Sequence, residues 1–306
     1  MAALGALASG GTALAQAPPQ APAAAAGRGA GAAPGRHNLP EDFADPWPGK
    51  LKLLAIGDIT TGYQHDSVPI ALETVSRLGQ DSGSYITFVR SDTQLITKAP
   101  GIHGQGPRYG NWPNVNGRTL SFFHGLFMLP SGTGQTLMAQ QKADLLSFIR
   151  DDGHGLVVGH AAGTGYYEWP EWFELIGGRM GGEFNSTATY IVEDPQFPGA
   201  QAFGTNPFTM YEQHPILTAP YSRKSVRVIM RLDPNKLGAK PRNPRPDGDY
   251  PMVWAHQYGK GRVFSFGDGH FPSTWANPEF QKMVLGGIQW ALGMWPADVN
   301  PRPLPA

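Results

Sequence analysis

The sequence predicts an α/β fold: a mostly parallel sheet flanked by helices on both sides, with an antiparallel hairpin near the C-terminal end. Three observations lead there. The apolar runs Leu51–Ile56, Leu156–Val158 and Arg262–Phe266 each stop at a glycine that opens a loop. Segments with apolar residues at helical spacing alternate with such runs, which is the pattern of a parallel sheet covered by helices. Two β-rich runs, Pro251–Tyr258 and Arg262–Phe266, meet at Gly259-Lys-Gly261 and read as a hairpin.

The chain has 306 residues, 41% hydrophobic and 16% charged, enough for a sizeable core. Its 24 basic and 24 acidic residues cancel, and no basic stripe points to nucleic acid. There is no cysteine, which excludes disulfides, thiolate metal sites and a thiol nucleophile. Chemistry is left to serine, histidine and carboxylates.

Residues 1–17 read as a secretory signal ending in the A-x-A pattern Ala15-Gln16-Ala17, although the basic n-region is missing. The expected location is therefore periplasmic or secreted. The run is too short and glycine-rich to span a membrane. Residues 18–49 are Ala, Pro and Gly with few apolar anchors, and read as a disordered linker.

The folded domain is expected over 50–296. Leu51–Ile56 is a buried strand, and the loop DITTGYQHDS follows Gly57. Ser67 caps a helix with Pro69 in its first turn and Ile70, Ala71, Thr74, Val75 and Leu78 on one face. Tyr85–Val89 is the second strand. Thr93–Arg118 dissolves into Gly, Pro, Asn and single aromatics, and is either a lid or a solvated insertion. Ser121–Leu129 reads as a strand. The turn SGTGQT lacks the lysine and spacing of a phosphate-binding loop and reads as the cap of a helix carrying Leu145, Leu146 and Ile149.

Leu156–Val158 is the central strand, with His160 just beyond it and a short helix from Glu171 to Ile176. Thr187–Val192 and Val226–Leu232 are β-rich, and FGTNPFTMYEQHP between them reads as a loop carrying Glu212 and His214. Asn235–Asp249 is a polar, Pro-rich surface loop. Asn277 caps the last helix, with Pro278 at its first position, Phe280, Val284, Ile288, Ala291 and Leu292 on its apolar face and Gly293 at its end. Residues 297–306 read as a disordered tail.

Three histidines fall at strand ends: His65, His160 and His270. In a parallel sheet those ends share one rim, where ligands of open α/β sheets bind. Imidazole transfers protons near neutral pH or binds a divalent metal, so the three are candidate catalytic residues and a candidate ligand set. The carboxylates near the rim are Asp58, Asp66, Glu212 and Asp268. Glu212, with no evident structural duty, is the preferred acid, base or ligand. Asp66 and Asp268 are candidates for substrate binding, or serve only a cap and a loop. Tyr166, Tyr167, Trp169 and Trp172 follow His160; Tyr167 and Trp169 are candidates for stacking on a sugar face, with core anchoring as the alternative. Trp254, Trp275 and Trp290 read as core. No G-x-S-x-G elbow and no G-x-G-x-x-G after a strand occur, so neither a serine hydrolase nor a nucleotide cofactor is expected.

The blocks AIGDITTGYQHDSV (55–68), KADLLSFIRDDGHGLVVGHAAGTGYYEWPEWFELIGG (142–178), PMVWAHQYGKGRVFSFGDGH (251–270) and QKMVLGGIQWALG (281–293) together resemble the trehalose-utilisation (ThuA-like) family. The resemblance runs over roughly Lys50–Pro303. It implies a class I glutamine-amidotransferase-like, flavodoxin-like fold in which the motif histidines are His65, His160 and His270. It places His160 where amidotransferases carry a nucleophilic cysteine, so that chemistry is lost. Departures occur near the rim: Thr164 stands for an aspartate, Gly182-Glu183 for Gly-His, and Glu212-Gln213-His214-Pro215 for Asp-Glu-x-Tyr.

What the resemblance implies is action on a carbohydrate, a 3-keto-glycoside; the histidine set adds a divalent ion as an expected cofactor, and no membrane span is expected. The C2 proton of such a sugar is acidified by the carbonyl, which opens isomerisation or elimination by proton abstraction. The alternatives are a non-catalytic carbohydrate-binding or scaffold protein on the same fold, and a hydrolase using two carboxylates.

Overall fold

The computed structural model describes residues 45, 47–60, 62–99, 101–102, 115–116, 118–130, 132 and 134–305. The expected signal segment, most of the linker and most of the expected lid lie outside them. Two units divide the chain, Met1–Asn38 and Leu39–Ala306, and only the second contains described residues.

Eleven strands and five α-helices follow one another along the chain among the described residues. They are β1 Leu51–Ile56, α1 Ser67–Ser82, β2 Tyr85–Arg90, β3 Gly101–Ile102, β4 Val115–Asn116, β5 Gly125–Met128, α2 Ala139–Arg150 and β6 Gly155–Gly159. Then come α3 Pro170–Ile176, β7 Arg179–Val192, β8 Phe208–Thr218, β9 Arg227–Leu232, β10 Pro251–Tyr258, β11 Gly261–Phe266, α4 Pro272–Trp275 and α5 Pro278–Ala291. Nine strands form one sheet in the order β2-β1-β5-β6-β11-β10-β9-β7-β8, and β3 pairs with β4 apart from it.

The sheet is mixed. From β2 to β11 the pairings are parallel, and from β11 through β10, β9 and β7 to β8 they are antiparallel. The antiparallel part is thus four strands deep beyond β11, larger than the expected hairpin. Thr187–Val192, read as β-rich, is the second part of β7; the first part of β7 and all of β8 were hidden because each alternates apolar and polar residues on a half-solvated face and is interrupted by Gly or Pro.

The parallel strands are apolar throughout because both faces are covered. Leu53 and Ala55 of β1 join a core with α1, α4 and α5, while Leu54 and Ile56 join a second core with α2 and α3. Trp275 and Trp290 lie in the first and Trp254 in a third, smaller cluster, all buried as expected. In α5, Pro278 sits at the first turn and the Asn277 side chain accepts the Phe280 N–H at 3.0 Å. The helix is pressed onto β6: a Cβ at Gly155 would lie 2.3 Å from the Ala291 carbonyl oxygen.

Several local readings are corrected. Ser67 is the first helical residue and Asp66 holds the cap position, without a side-chain cap bond. Ser121–Leu129 divides into a 3-10 turn, Leu120–Phe122, and β5. SGTGQT lies ahead of α2 and does not cap it; the Gln141 side chain accepts the Met138 N–H instead. FGTNPFTMYEQHP is largely strand β8 rather than loop. The tail packs on the domain: Val299 is buried and Arg227 donates to the Asn300 carbonyl at 3.2 Å. No helix among the described residues is long and apolar enough to cross a membrane.

Candidate functional site

Three strand ends, those of β1, β6 and β11, bring the site together. β6 pairs with β11 in parallel, Gly159 opposite Phe266, so the residues that follow each strand emerge side by side. Glycine allows this closeness: a Cβ at Gly159 would fall 2.5 Å from the Phe266 ring.

His160 opens a 3-10 turn, His160–Gly163, with φ +36°. That backbone is costly for a residue with a Cβ and persists only where its surroundings impose it, which is a frequent mark of a functional position. His65 lies in the loop between β1 and α1. The Gln64 side chain braces that loop on the Ile59 carbonyl at 2.5 Å. Asp58, at the end of β1, fixes it further by accepting from the Thr60 hydroxyl at 2.7 Å, the Thr136 hydroxyl at 2.5 Å and the Tyr166 hydroxyl at 3.2 Å. His270 follows Gly269, whose φ of +107° turns the chain away from β11.

The imidazoles converge. His160 Nε2 lies 3.2 Å from His65 Nε2 and 3.1 Å from His270 Nδ1, and the three nitrogens are all within 4.8 Å of one another. His160 Nδ1 lies 2.9 Å from the Gly267 carbonyl oxygen. A carbonyl can only accept, so Nδ1 carries the proton and Nε2 presents its lone pair to the other two rings. Burial pushes His160 down to about 3 and His65 down to about 4, and lowers His270 as well. All three are therefore neutral near pH 7, the form in which imidazole binds a metal.

The donor set fits a divalent ion. Two of the separations approach the ~3.3 Å between neighbouring ligands on a tetrahedral ion with bonds of about 2.0–2.1 Å. The Gly267 carbonyl supplies the outer hydrogen bond that orients a ligating histidine. Three nitrogen donors with no thiolate suit zinc or a comparable transition ion rather than calcium or magnesium.

The carboxylates divide into two kinds. Asp66 is exposed, and its charge acts on His65 and His270; the charge of exposed Glu183 on β7 also acts on His270. Glu212 and Asp268 are buried. Glu212, read as a loop acid, is a β8 residue with no exposed surface. It accepts the His270 N–H at 2.9 Å, the Gln213 N–H at 3.1 Å and the Thr274 hydroxyl. With its oxygens thus committed it positions the His270 loop instead of meeting substrate, and burial raises its pKa. Asp268 accepts from the Tyr190 hydroxyl at 2.6 Å, and burial, with Glu212 nearby, holds it well above the usual carboxylate range. Tyr190 also lies 3.3 Å from His214 Nδ1, and His214 Nε2 donates to the Ser186 carbonyl at 3.0 Å. A buried polar chain thus runs from β7 to the loop that carries His270. Glu212, the acid on which the carboxylate-pair hydrolase reading relied, has no exposed surface.

The aromatic readings change as well. Trp169 is 5% exposed, stacked against Trp172 in the core, and offers no open face to a sugar. Tyr167 is exposed, but the Arg179 guanidinium lies 3.8 Å over its ring. Two residues that adjoin the imidazoles were not singled out, Tyr63 against His65 and Phe271 against His270; Gln213, marked in the sequence only as a departure near the rim, hydrogen-bonds His160 through its side chain. Tyr63 is two residues from His65 and Phe271 adjoins His270, and that proximity was the available signal. The contact of Gln213 with His160 was hidden with its strand.

The ThuA family model, described as trehalose utilisation, matches residues 55–291. The chain belongs to the ThuA family. Among solved structures it is similar to a ThuA-like protein from Bacteroides uniformis, with 16% identity and a TM-score of 0.58, covering 80% of this chain and 93% of that one. A ThuA-like protein from Parabacteroides merdae gives 14% identity and a TM-score of 0.55, covering 79% and 90%. At such identities the likeness is one of fold. A comparison with curated proteins finds no match. The family makes this a carbohydrate-related protein.

Proposed function

We propose that this ThuA protein is an enzyme acting on 3-keto-glycosides through a divalent ion held by His65, His160 and His270. The observation that carries the reading is the convergence of three neutral imidazole nitrogens within 4.8 Å at the strand ends. The family description supports a sugar substrate. The strained turn at His160, φ +36°, supports the relationship to class I glutamine amidotransferases, whose nucleophile the histidine would replace.

A divalent ion, when bound, supplies a Lewis acid to a sugar carbonyl and so acidifies the neighbouring C–H. The chain's own residues do the rest. His160 is locked as a donor to Gly267 and keeps its Nε2 facing the other two imidazoles. Glu212 holds the His270 backbone in place. Asp66 and Glu183, the exposed carboxylates whose charges act on His270, are the groups available to accept the C2 proton and return it. Proton return gives isomerisation; departure of the glycosidic substituent gives elimination. Export is part of the same reading and rests on Ala15-Gln16-Ala17 and the absence of cysteine.

The test is elemental analysis of the purified full chain together with turnover of a 3-keto-glycoside panel. We expect one divalent ion per chain, its loss in His160→Ala and His270→Ala, and a rate reduction of at least ~100-fold in both. Turnover at the wild-type rate in both variants would remove the proposal.

A further inference from the structure

An aromatic strip borders the imidazole cluster at two ends. Tyr63 meets His65 edge to face with ring centres 4.8 Å apart. His65 meets His270 edge to face at 4.9 Å, and His270 meets Phe271 likewise at 4.6 Å. Phe271 is stacked on Tyr211 at 5.4 Å, the planes inclined by only 28°. The end members are open to solvent: Tyr63 is 64% exposed and Tyr211 55%. Exposure of this order leaves part of each ring surface open to solvent within one residue contact of a cluster histidine or of Phe271. Of the other exposed aromatics among the described residues, Tyr167 is covered by Arg179 and Trp295 lies beyond α5.

Two exposed carboxylates border the cluster: Asp66 adjoins His65 in the chain, and the charges of Asp66 and of Glu183 on β7 act on His270. Two carboxylates balance one divalent ion, so the loaded site is close to neutral. A sugar phosphate or uronate would bring a negative charge towards Asp66 and Glu183, which repel it. A neutral pyranose instead offers C–H faces to the rings and hydroxyl donors to the carboxylates.

We infer that Tyr63 and Tyr211 are the stacking platforms of the substrate site, and that Asp66 and Glu183 restrict it to uncharged pyranosides. This rests on the carbohydrate reading above and goes further, by naming the residues that bind the sugar and the charge class that they select. Tyr63 serves the side of His65, and Tyr211, seated on Phe271, the side of His270.

The experiment is calorimetric titration of the zinc-loaded full chain with three probes: methyl glucopyranoside, methyl glucuronide and glucose 6-phosphate. Wild type should prefer the neutral probe by about tenfold or more. Tyr63→Ala and Tyr211→Ala should each weaken it by about three- to tenfold, the range expected for one lost aromatic contact. Zinc affinity and Tm should not change, since both rings are exposed and neither bonds a ligand histidine. In Asp66→Asn combined with Glu183→Gln the discrimination against the two anionic probes should shrink. If wild type binds the neutral probe and both tyrosine variants bind it equally well, the platforms are refuted while the carbohydrate reading stands. If wild type binds no probe, this inference falls, while turnover of the 3-keto-glycoside panel decides the carbohydrate reading separately. Equal affinity of wild type for all three probes would refute the charge selection alone.

Discussion

His160 donates its Nδ1–H to the Gly267 carbonyl oxygen at 2.9 Å, tying the turn after β6 to the end of β11. That bond sets which nitrogen of His160 faces the other imidazoles. Gly267 has little freedom, because a Cβ there would meet the Pro215 ring at 2.5 Å. In Gly267→Ala the loop must move off β8 and its carbonyl must turn from His160. Zinc affinity, measured by competition with a chromophoric chelator, should fall about 10–100-fold, the usual cost of disturbing an outer hydrogen bond. An unchanged affinity would show that the carbonyl does not govern the ligand.

Glu212→Leu tests the buried brace under His270. Glu212 accepts from the main-chain N–H groups of His270 and Gln213 and, through its other oxygen, from Thr274. A leucine has no acceptor, so the two main-chain donors are left unmatched. Leaving a buried donor unmatched costs ~1–3 kcal/mol, to be read from urea unfolding. Wild-type stability would mean that Glu212 is not the brace described.

Gly155→Ala probes the seat of α5 on the sheet. The added methyl would lie 2.3 Å from the Ala291 carbonyl, a backbone atom that cannot swing aside. We expect a loss of ~1–3 kcal/mol and a lower Tm, with zinc affinity kept, because the strain lies at the strand end opposite the imidazoles.

Stability should fall in acid. Burial pushes His214 and His256 down to about 4 from the ordinary 6.5. Between those values the unfolded chain binds protons that the folded one refuses, so stability is complete above 6.5 and declines as the pH drops towards 4. Each such histidine contributes a slope of about 1.4 kcal/mol per pH unit. Glu212 and Asp268, raised by burial, act in the opposite sense, because the folded chain protonates them first. His256→Asn isolates one term: unfolding between pH 7 and 5 should show a shallower decline than in wild type. Equal slopes would place the His256 titration elsewhere.

The sequence made the parallel half of the fold legible because its strands are short, wholly apolar and closed by glycine, as in LLAIG and LVVG. The same punctuation exposed His65, His160 and His270, each placed by a strand end. The antiparallel half was harder to read. β8 carries Met210, Glu212, Gln213 and Pro215 within one strand, a mixture that resembles a surface loop until its pairing with β7 is known. Glu212 was misjudged for that reason: its partners, the backbone of His270 and the hydroxyl of Thr274, lie 58 and 62 positions away. Tyr63 and Tyr211 were unreadable as a pair because nothing local distinguishes an exposed ring beside a histidine from one beside solvent. For Trp169 the sequence left stacking and core anchoring both open, since a tryptophan near a motif is equally suited to the interior, and the structure selects the core.

β11 enters the sheet between β6 and β10, although β6 is completed about a hundred residues earlier; His160 and Gly267 are 107 positions apart. A nascent chain arrested before β11 therefore holds two of the three imidazoles and lacks the carbonyl that orients one of them. The proposed chelation would then be a late event of synthesis, a clasp that closes only when the last strand is threaded. A chain arrested before that point offers such an ion only part of its ligand set.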